Sequence, residues 1–488
     1  FAQIRRIWAL PATSSDQGRL RASQRADVLM EGTSETFDEL LADFARRLPE
    51  ADFVALDLEM TGTGGDVGAD SLLQSVEERY ARVREAAETF TLCQIGLTLG
   101  RWAGEGEGAA VSLSSYNIFA FPFFVERKVV SHFKCTAAGV RFLSRNGFDF
   151  NRWIRSGVAF RTRQAAEAES QGAANPLAND GRDGLLRLWG LLCEAQKPLV
   201  THSGLTDLAF LLAALETSPL PDNGSRFAEV VRRLTPQVFD TAHLFAAVGG
   251  GGGAFKRLGL AKFLEEAEER ASGRVRFVPE GEATQGRYGA GGQAHEAGYD
   301  SFMTAKLFAC LRALAPEVVQ READRLYLWK STECVDLSRG DLRGTLVAPY
   351  AECAAFVAEF PAGTAASAGE LGGLGRHGGN SEVVDDKRAV VLWPRHLTPE
   401  ARQAALPGAA TWLPAACPPR RPHEPAVAAP KRLAAKRTAA AKRPAAAAKR
   451  TVAAKRPAAA KKTAAAKKPL AAKRPAAAKS PAAARRKR

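Results

Sequence analysis

The 488-residue chain lacks any run of about 18 consecutive apolar residues, so neither a membrane-spanning helix nor a membrane partner is expected. Its seven cysteines (93, 135, 193, 310, 334, 353 and 417) are scattered, odd in number and never spaced C-x-x-C. That argues against a disulfide framework and a structural zinc site, and suits a reducing compartment. Acids are nearly missing from one end: Arg420 to Arg488 holds 23 Lys/Arg against a single acid, Glu424. The formal charge of +15 therefore divides into +22 for this tail and −7 for everything before it. An acidic body carries a basic tail.

The apolar fraction of 46% is that of a globular protein, and the length holds one large or two medium domains plus the tail. Residues 1–30 form a leader. Its first 25 residues hold five arginines and one acid, Asp16, a composition shared by organelle presequences and plain disordered leaders. The first residue is Phe rather than Met, which leaves room for a start further upstream.

Residues 31–322 read as a mixed sheet covered by helices. Helical spacing runs through ETFDELLADFARRL and SLLQSVEERYARVREAAETF, while FVALDLEMTG, TLCQIGLTL and YNIFAFPFF read as strands. Helices are expected around 137–146 and 184–195, with the polar segment 162–183 as a loop between them. PLVTH is a short buried strand and GLTDLAFLLAAL a buried helix; HEAGYDSFMTAKLFACLRAL is a loop turning into a long helix. Glycines at 249–253 and 281–293 are flexible punctuation.

Residues 323–412 suggest a small α/β module of RNA-recognition (RRM-like) type, with strands CAAFVAEF and KRAVVLW and helices at 368–376 and TPEARQAAL. It lacks the aromatic-rich strands that stack bases. Residues 413–488 are a low-complexity repeat of basic doublets, mostly six residues apart among Ala and Pro. Six fits no helical period, and with almost nothing large and apolar to bury this tail is expected to be disordered when free. Its charge density suits phosphate neutralisation with counterion release, or recognition by import machinery. That favours a nucleus; the Arg-rich start favours a mitochondrion instead.

Strand periodicity puts Asp57 and Glu59 on one face, about 6–7 Å apart. Buried unpaired they would be costly, and a hard divalent cation would satisfy both, as would a salt bridge at a strand end. Asp207 stands alone in an otherwise apolar helix, facing either the same centre or a core arginine. His295 and Asp300, five apart, would lie about 140° from each other on one helix. They converge only if His295 sits on a loop and Asp300 opens the helix, a turn that Gly298 permits; otherwise His295 is an ordinary surface histidine.

Four carboxylates and one histidine together suit two Mg²⁺ ions (or Mn²⁺) about 3.5–4 Å apart, stabilising both oxygens of an in-line phosphoryl displacement. Asp57 would bridge the ions, and Glu59 with Asp300 would complete the site that holds the attacking water. Asp207 would support the second ion, and His295 would deprotonate that water. Lys306, one and a half turns past Asp300, is placed to reach a phosphate or to stand as a solvated lysine. His202 and His243 are read as structural.

This order and spacing resemble the DEDDh exonucleases, which have an RNase H-like fold. ADFVALDLEMTG, EERYARVREAAETFTLCQIGL, RFLSRNGFDFNRWIRSGVAF, KPLVTHSGLTDLAFL and HEAGYDSFMTAKLF resemble the poly(A)-specific ribonuclease (PARN) family, of the CAF1-type deadenylase superfamily. DRLYLWKSTECVDLSRGDL is similar to the segment after that family's nuclease core, so the likeness spans roughly 35–345 and extends toward 407. The resemblance implies Mg²⁺-dependent 3′→5′ removal of adenylates from RNA with release of AMP, often by a homodimer. It implies Asp57, Glu59, Asp207 and Asp300 as metal-binding acids and His295 as the catalytic histidine.

The chain departs from the family in three ways. Only the loop at 162–183 stands where PARN inserts a small RNA-binding domain, as in the Cajal-body deadenylases, whose zinc finger is also missing. HSG replaces a frequent His-Asn, which puts local hydrogen bonding at Ser203 in question. Met60 stands where Phe is common and packs against a terminal base without an aromatic face. Glu78, Arg79 and Tyr80 match a family block and are expected to serve helix packing. A DNA 3′-exonuclease and a catalytically silent RNA-binding scaffold remain the alternatives; the intact set of five site residues weighs against the scaffold.

Overall fold

Phe53–Met60 (FVALDLEM) is almost continuously apolar because helices cover both faces of the sheet that it centres. In the computed structural model that sheet has eight strands. They are β1 Glu31–Gly32, β2 Phe53–Met60, β3 Leu92–Ala103, β4 Ala109–Pro122, β5 Val158–Phe160, β6 Leu199–Thr201, β7 Val238–Asp240 and β8 Val275–Pro279. The path is β1-β4-β3-β2-β6-β7, with β5 and β8 also on β4. β2, β3 and β4 form an antiparallel meander, and β6 and β7 follow parallel to β2. β8, β1 and β5 pair with successive lengths of β4 (109–113, 117–118 and 120–122), leaving this long strand little open edge.

The structure describes residues 31–64, 74–104, 108–122, 133–170, 183–249, 259–280, 288, 294–329, 331, 333–339, 345–346, 353–361, 380–383, 387–394, 398–406, 409 and 411–414. The leader at 1–30, the basic tail, the short helix at 368–376 and most of both glycine-rich stretches lie outside them.

Period-2 alternation along β2 divides the core. Val54, Leu56 and Leu58 face helices Phe37–Arg47, Gly184–Ala195 and Leu205–Leu215. Phe53 and Ala55 face helices Leu260–Arg270 and Ala297–Leu314. Asp57 and Glu59 continue this second face toward the end of the strand, so the sheet delivers both carboxylates beneath the start of Ala297–Leu314. Among the described residues no helix is long and apolar enough to cross a membrane.

Two expectations are corrected. The segment 162–183 is not all loop: Arg163–Ser170 is helical, started by the Thr162 hydroxyl accepting the Ala165 N–H and anchored by Arg163 on Glu216. Polar composition hid a good helix former, RQAAEAES. β4 begins at Ala109, well before YNIFAFPFF, because AAVSLSS is small and polar and gives no strand signal. β9 Arg325–Leu326, β10 Glu333–Asp336 and β11 Thr345–Leu346 form a small antiparallel sheet, and Leu326, Leu328, Val335 and Leu337 are buried in the nuclease core.

Beyond it, β12 Cys353–Glu359, β13 Asn380–Val383, β14 Arg388–Pro394 and β15 Thr411–Pro414 make an antiparallel sheet ordered β13-β14-β12-β15. Ala401 and Ala405 of helix Pro399–Ala405 pack on Ala358, Val391 and Trp393.

Candidate active site

Asp57 lies opposite Gly96 and Glu59 opposite Gln94, and a bulge follows between Glu59 and Met60. The bulge re-aims the strand where the acids stand, and the Cys93 thiol donates to the Glu59 carbonyl at 3.1 Å. β6 pairs with β2 only at Val54 and Ala55. The Leu58 N–H, past that pairing, donates instead to the carboxylate of Asp207, on the first turn of Leu205–Leu215. An acid on an apolar helix is thereby tied to the strand that carries the other two.

The fourth acid arrives on Ala297–Leu314. Gly96 makes this possible, since a Cβ there would lie 1.8 Å from the Ala297 carbonyl oxygen. Gln94 Oε1 accepts the Ala297 N–H at 3.0 Å and Asn117 Oδ1 the Gly298 N–H at 3.1 Å, satisfying two free amides at the helix start. Hydroxyls of Ser115, Thr98 and Ser301 form a buried chain with spacings of 2.8 and 2.9 Å. Sequence reading missed Gln94, Asn117 and these hydroxyls; polar residues inside otherwise buried strands were the available signal.

Asp300 stands in the first turn of this helix and His295 on the loop before it, as the spacing required. The reversal occurs at His295 itself, with φ +66°, not at Gly298. Gly298 is helical and is needed for space, since a Cβ would meet the Tyr288 hydroxyl at 2.5 Å and Asn117 Cβ at 2.7 Å. The His295 N–H donates to both Asp300 oxygens at 3.2 and 3.3 Å, and Nδ1 stands 3.9 Å from Oδ2. The ring is 44% exposed and meets the exposed Phe142 edge-on at 4.6 Å.

Charge is concentrated here without compensation. Burial, then Asp207, Asp300 and Glu59, push the Asp57 carboxyl well above its ordinary range. Burial, then Asp300 and Asp207, do the same to Glu59. Asp207 is raised to about 7 by burial and then Asp240; Asp300 reaches about 7 through burial and then Glu296. Burial lowers the His295 imidazole, which favours its neutral form. Among the described residues no lysine or arginine ion-pairs with any of the four acids. Ligand atoms of Glu59, His295 and Asp300 lie within 4.8 Å of one another. Hard oxygen donors, mutually repelling and lacking a protein cation, fit divalent metal ions.

The remaining expected residues have other partners. Lys306 ion-pairs with Glu268 and lies over the Phe277 ring at 4.9 Å, so its charge is already engaged rather than free for a phosphate. Met60 is half-buried against the core on the face opposite Glu59. Glu78 forms a capping box with Ser75, Arg79 is buried, and the Tyr80 hydroxyl donates to the Pro221 carbonyl at 2.7 Å, all consistent with packing. His202 meets the Thr241 hydroxyl at 2.9 Å and His243 meets Glu322 at 3.1 Å. Ser203 is left-handed at φ +59°, a conformation that asparagine tolerates better, which gives a physical reason for His-Asn at this place.

The sequence pattern of the CAF1 family ribonucleases matches residues 33–183 and 170–308. The chain belongs to this family. Among curated relatives, this CAF1-family chain is 33% identical over 156 residues to poly(A)-specific ribonuclease PARN of Arabidopsis thaliana, covering 31% of the chain and 22% of that protein. It is 32% identical over 136 residues to poly(A)-specific ribonuclease PNLDC1 of Mus musculus, covering 27% and 25%. The 3′-5′ exoribonuclease parn-1 of Caenorhabditis elegans is 31% identical over 132 residues, covering 27% and 22%. The matches thus span about a quarter or less of these relatives' length. Among solved structures, Schizosaccharomyces pombe Pop2p in its Mg²⁺- and Mn²⁺-bound form aligns at a TM-score of 0.42 and 18% identity, over 61% of this chain and 98% of that one.

Proposed function

We propose that the chain is a metal-dependent 3′→5′ exoribonuclease that removes adenylates from RNA 3′ ends and releases AMP. One observation carries this reading: four carboxylates, Asp57 half-buried and the other three buried, lie close enough to raise one another without a protein counter-cation, beside a half-exposed imidazole 3.9 Å from one of them. Asp57, Glu59, Asp207 and Asp300 would hold two divalent ions, Mg²⁺ by preference. Such ions supply Lewis acidity toward the phosphate and both oxygens of the displacement.

His295 supplies the base. Its lowered pKa leaves the ring neutral near pH 7, and its exposed edge is open to solvent. The Asp300 carboxylate accepts the His295 backbone N–H and so holds this turn in place. Water attacks the terminal phosphorus and gives its proton to the imidazole. The bond to the 3′ oxygen of the preceding nucleotide breaks, that oxygen takes a proton from solvent to become the new 3′-hydroxyl, AMP departs, and the imidazolium returns its proton to solvent before the next cycle. Phe142 offers an exposed aromatic ring beside this base on which a nucleobase can stack, whereas Met60, packed on the opposite face of the strand, is not assigned a base contact. Preference for adenylates is supported by the names of the similar proteins alone.

The sheet is read as RNase H-like because an antiparallel meander is followed by two parallel strands. The β13-β14-β12-β15 order supports the RNA-recognition reading of the smaller module. Its face away from helix Pro399–Ala405 carries Val357, Val390 and Leu392, which cannot stack bases, so RNA contact by stacking is not expected there. The basic tail is assigned to nucleic-acid or import-factor binding, in a nucleus.

The test uses a 5′-labelled RNA ending in about 20 adenylates, long enough to exceed a single-strand site. Controls are an oligo(U) end, an all-deoxy oligonucleotide, chelator, and Asp57→Ala. Stepwise shortening of the adenylate end alone, lost with chelator and with Asp57→Ala, is expected. An RNA that is bound but never shortened makes the chain a scaffold, and cleavage of the deoxy strand makes it a DNA exonuclease.

A further inference from the structure

Resting on that reading, we propose that Asp240 is a positioning residue for Asp207, and that the segment after the nuclease core holds Asp240 in register. Asp240 ends β7 and is fully buried. Its Oδ1 accepts the Ser203 and Ala242 N–H groups at 3.0 Å and the His243 N–H at 3.4 Å. Its Oδ2 accepts the Gly204 N–H at 3.0 Å and the Tyr327 N–H at 2.9 Å. One carboxylate thus grips two successive amides of the turn 203–204, three residues before Asp207, and an amide of the post-core segment. It also caps the helix Thr241–Ala247.

The grip is specific. Ser203 is left-handed, and a Cβ on Gly204 would lie 2.1 Å from Thr201 Oγ1, so the turn has little freedom to relax. The Thr241 hydroxyl donates to the Thr201 carbonyl at 2.9 Å, closing the same turn from beneath. Asp240 is also the group after burial that raises the Asp207 carboxyl.

On the far side, Asp324 Oδ1 accepts the Val238 N–H at 2.9 Å, and the Asp324 N–H returns to the Val238 carbonyl at 2.7 Å. Glu322 joins His243 to Arg325. Residues 322–327 are therefore bonded to β7 and the helix after it on both sides of Asp240. The geometry makes the post-core segment part of the machinery that sets Asp207.

An asparagine at 240 keeps the shape but has one acceptor oxygen where two are used, so the 203–204 turn loses one amide partner in either orientation, Gly204 together with Tyr327 or Ser203 together with the helix cap. The measurement is Mn²⁺ binding by titration calorimetry on the full chain, with the Mn²⁺-induced rise in melting temperature, for wild type, Asp207→Asn, Asp240→Asn and the double variant. Asp240→Asn is expected to weaken Mn²⁺ about tenfold, as for partners that orient metal ligands. In the Asp207→Asn background it should add nothing, because both changes act through one side chain. A lower melting temperature with Mn²⁺ affinity within about twofold of wild type would reduce Asp240 to a structural cap and overturn the proposal, as would equal weakening in both backgrounds. If Asp240→Asn does not fold, Thr241→Val decides: about threefold weaker binding supports the proposal, and unchanged binding overturns it. Wild type that binds no Mn²⁺ sinks the metal-dependent reading itself, whereas wild type that binds while both variants match it sinks only this inference.

Discussion

His295 combines properties that pull apart in most residues. Its backbone is left-handed and its N–H serves the Asp300 carboxylate, while its ring is half exposed and kept neutral by partial burial. The proposed role separates the two parts. His295→Gln keeps the N–H and removes the base, so kcat should fall by about 10²–10⁴ while Mn²⁺ binding survives. Wild-type activity at saturating Mg²⁺ should rise with pH through the imidazole pKa and then level. The variant should lose that limb in a kcat profile, and a variant that keeps it would show that another group accepts the proton.

At the scale of elements, the site exists because helix Ala297–Leu314 lands on β3 with almost no clearance. Gly96→Ala sets a methyl 1.8 Å from a backbone oxygen and must lift the helix start that carries Asp300. Overpacking against backbone is expected to cost about 3 kcal/mol in urea denaturation, with weaker Mn²⁺ binding. Gly190→Ala is the contrasting change. Nothing lies within 4 Å of a Cβ there, inside helix Gly184–Ala195, so about 1 kcal/mol of stabilisation is expected. Equal effects at the two glycines would refute close approach as the reason for Gly96.

For the whole molecule, the acid cluster ties folding to pH. Asp207 and Asp300 sit at about 7 in the folded chain against an ordinary value of 3.8. Between those values the folded state binds more protons than the unfolded one, so stability falls as pH rises. Their stabilising contribution is complete below about pH 4 and lost as pH climbs through about 7. In chelator the melting temperature should therefore drop from about pH 5 to about pH 8, and excess Mg²⁺ should remove the slope by replacing the protons. A flat profile in chelator would mean that the carboxylates do not share a buried site.

Much of this was legible in one dimension. Asp57, Glu59 and Asp207 stand out because each puts charge where the surrounding pattern is buried, whereas His295 and Asp300 drew notice by a five-residue spacing that needs a turn and by the family resemblance. The central strands and the long helix follow from uninterrupted apolar runs. The small polar start of β4, the short helix Arg163–Ser170 and the attachment of 325–337 to the core gave no such pattern.

The sequence by itself determined the chemistry available, because the cost of burying an acid is local and can be read from its neighbours. Only the tertiary structure decided how that chemistry is held. Gly96 and Gly298 as landing space, Gln94 and Asn117 as helix anchors, Lys306 engaged by Glu268, and Asp240 linking 203–204 to Tyr327 all depend on residues distant in sequence. Hydrogen bonds and van der Waals contact reach only a few ångströms, so such pairings have no signature until the chain has brought them together.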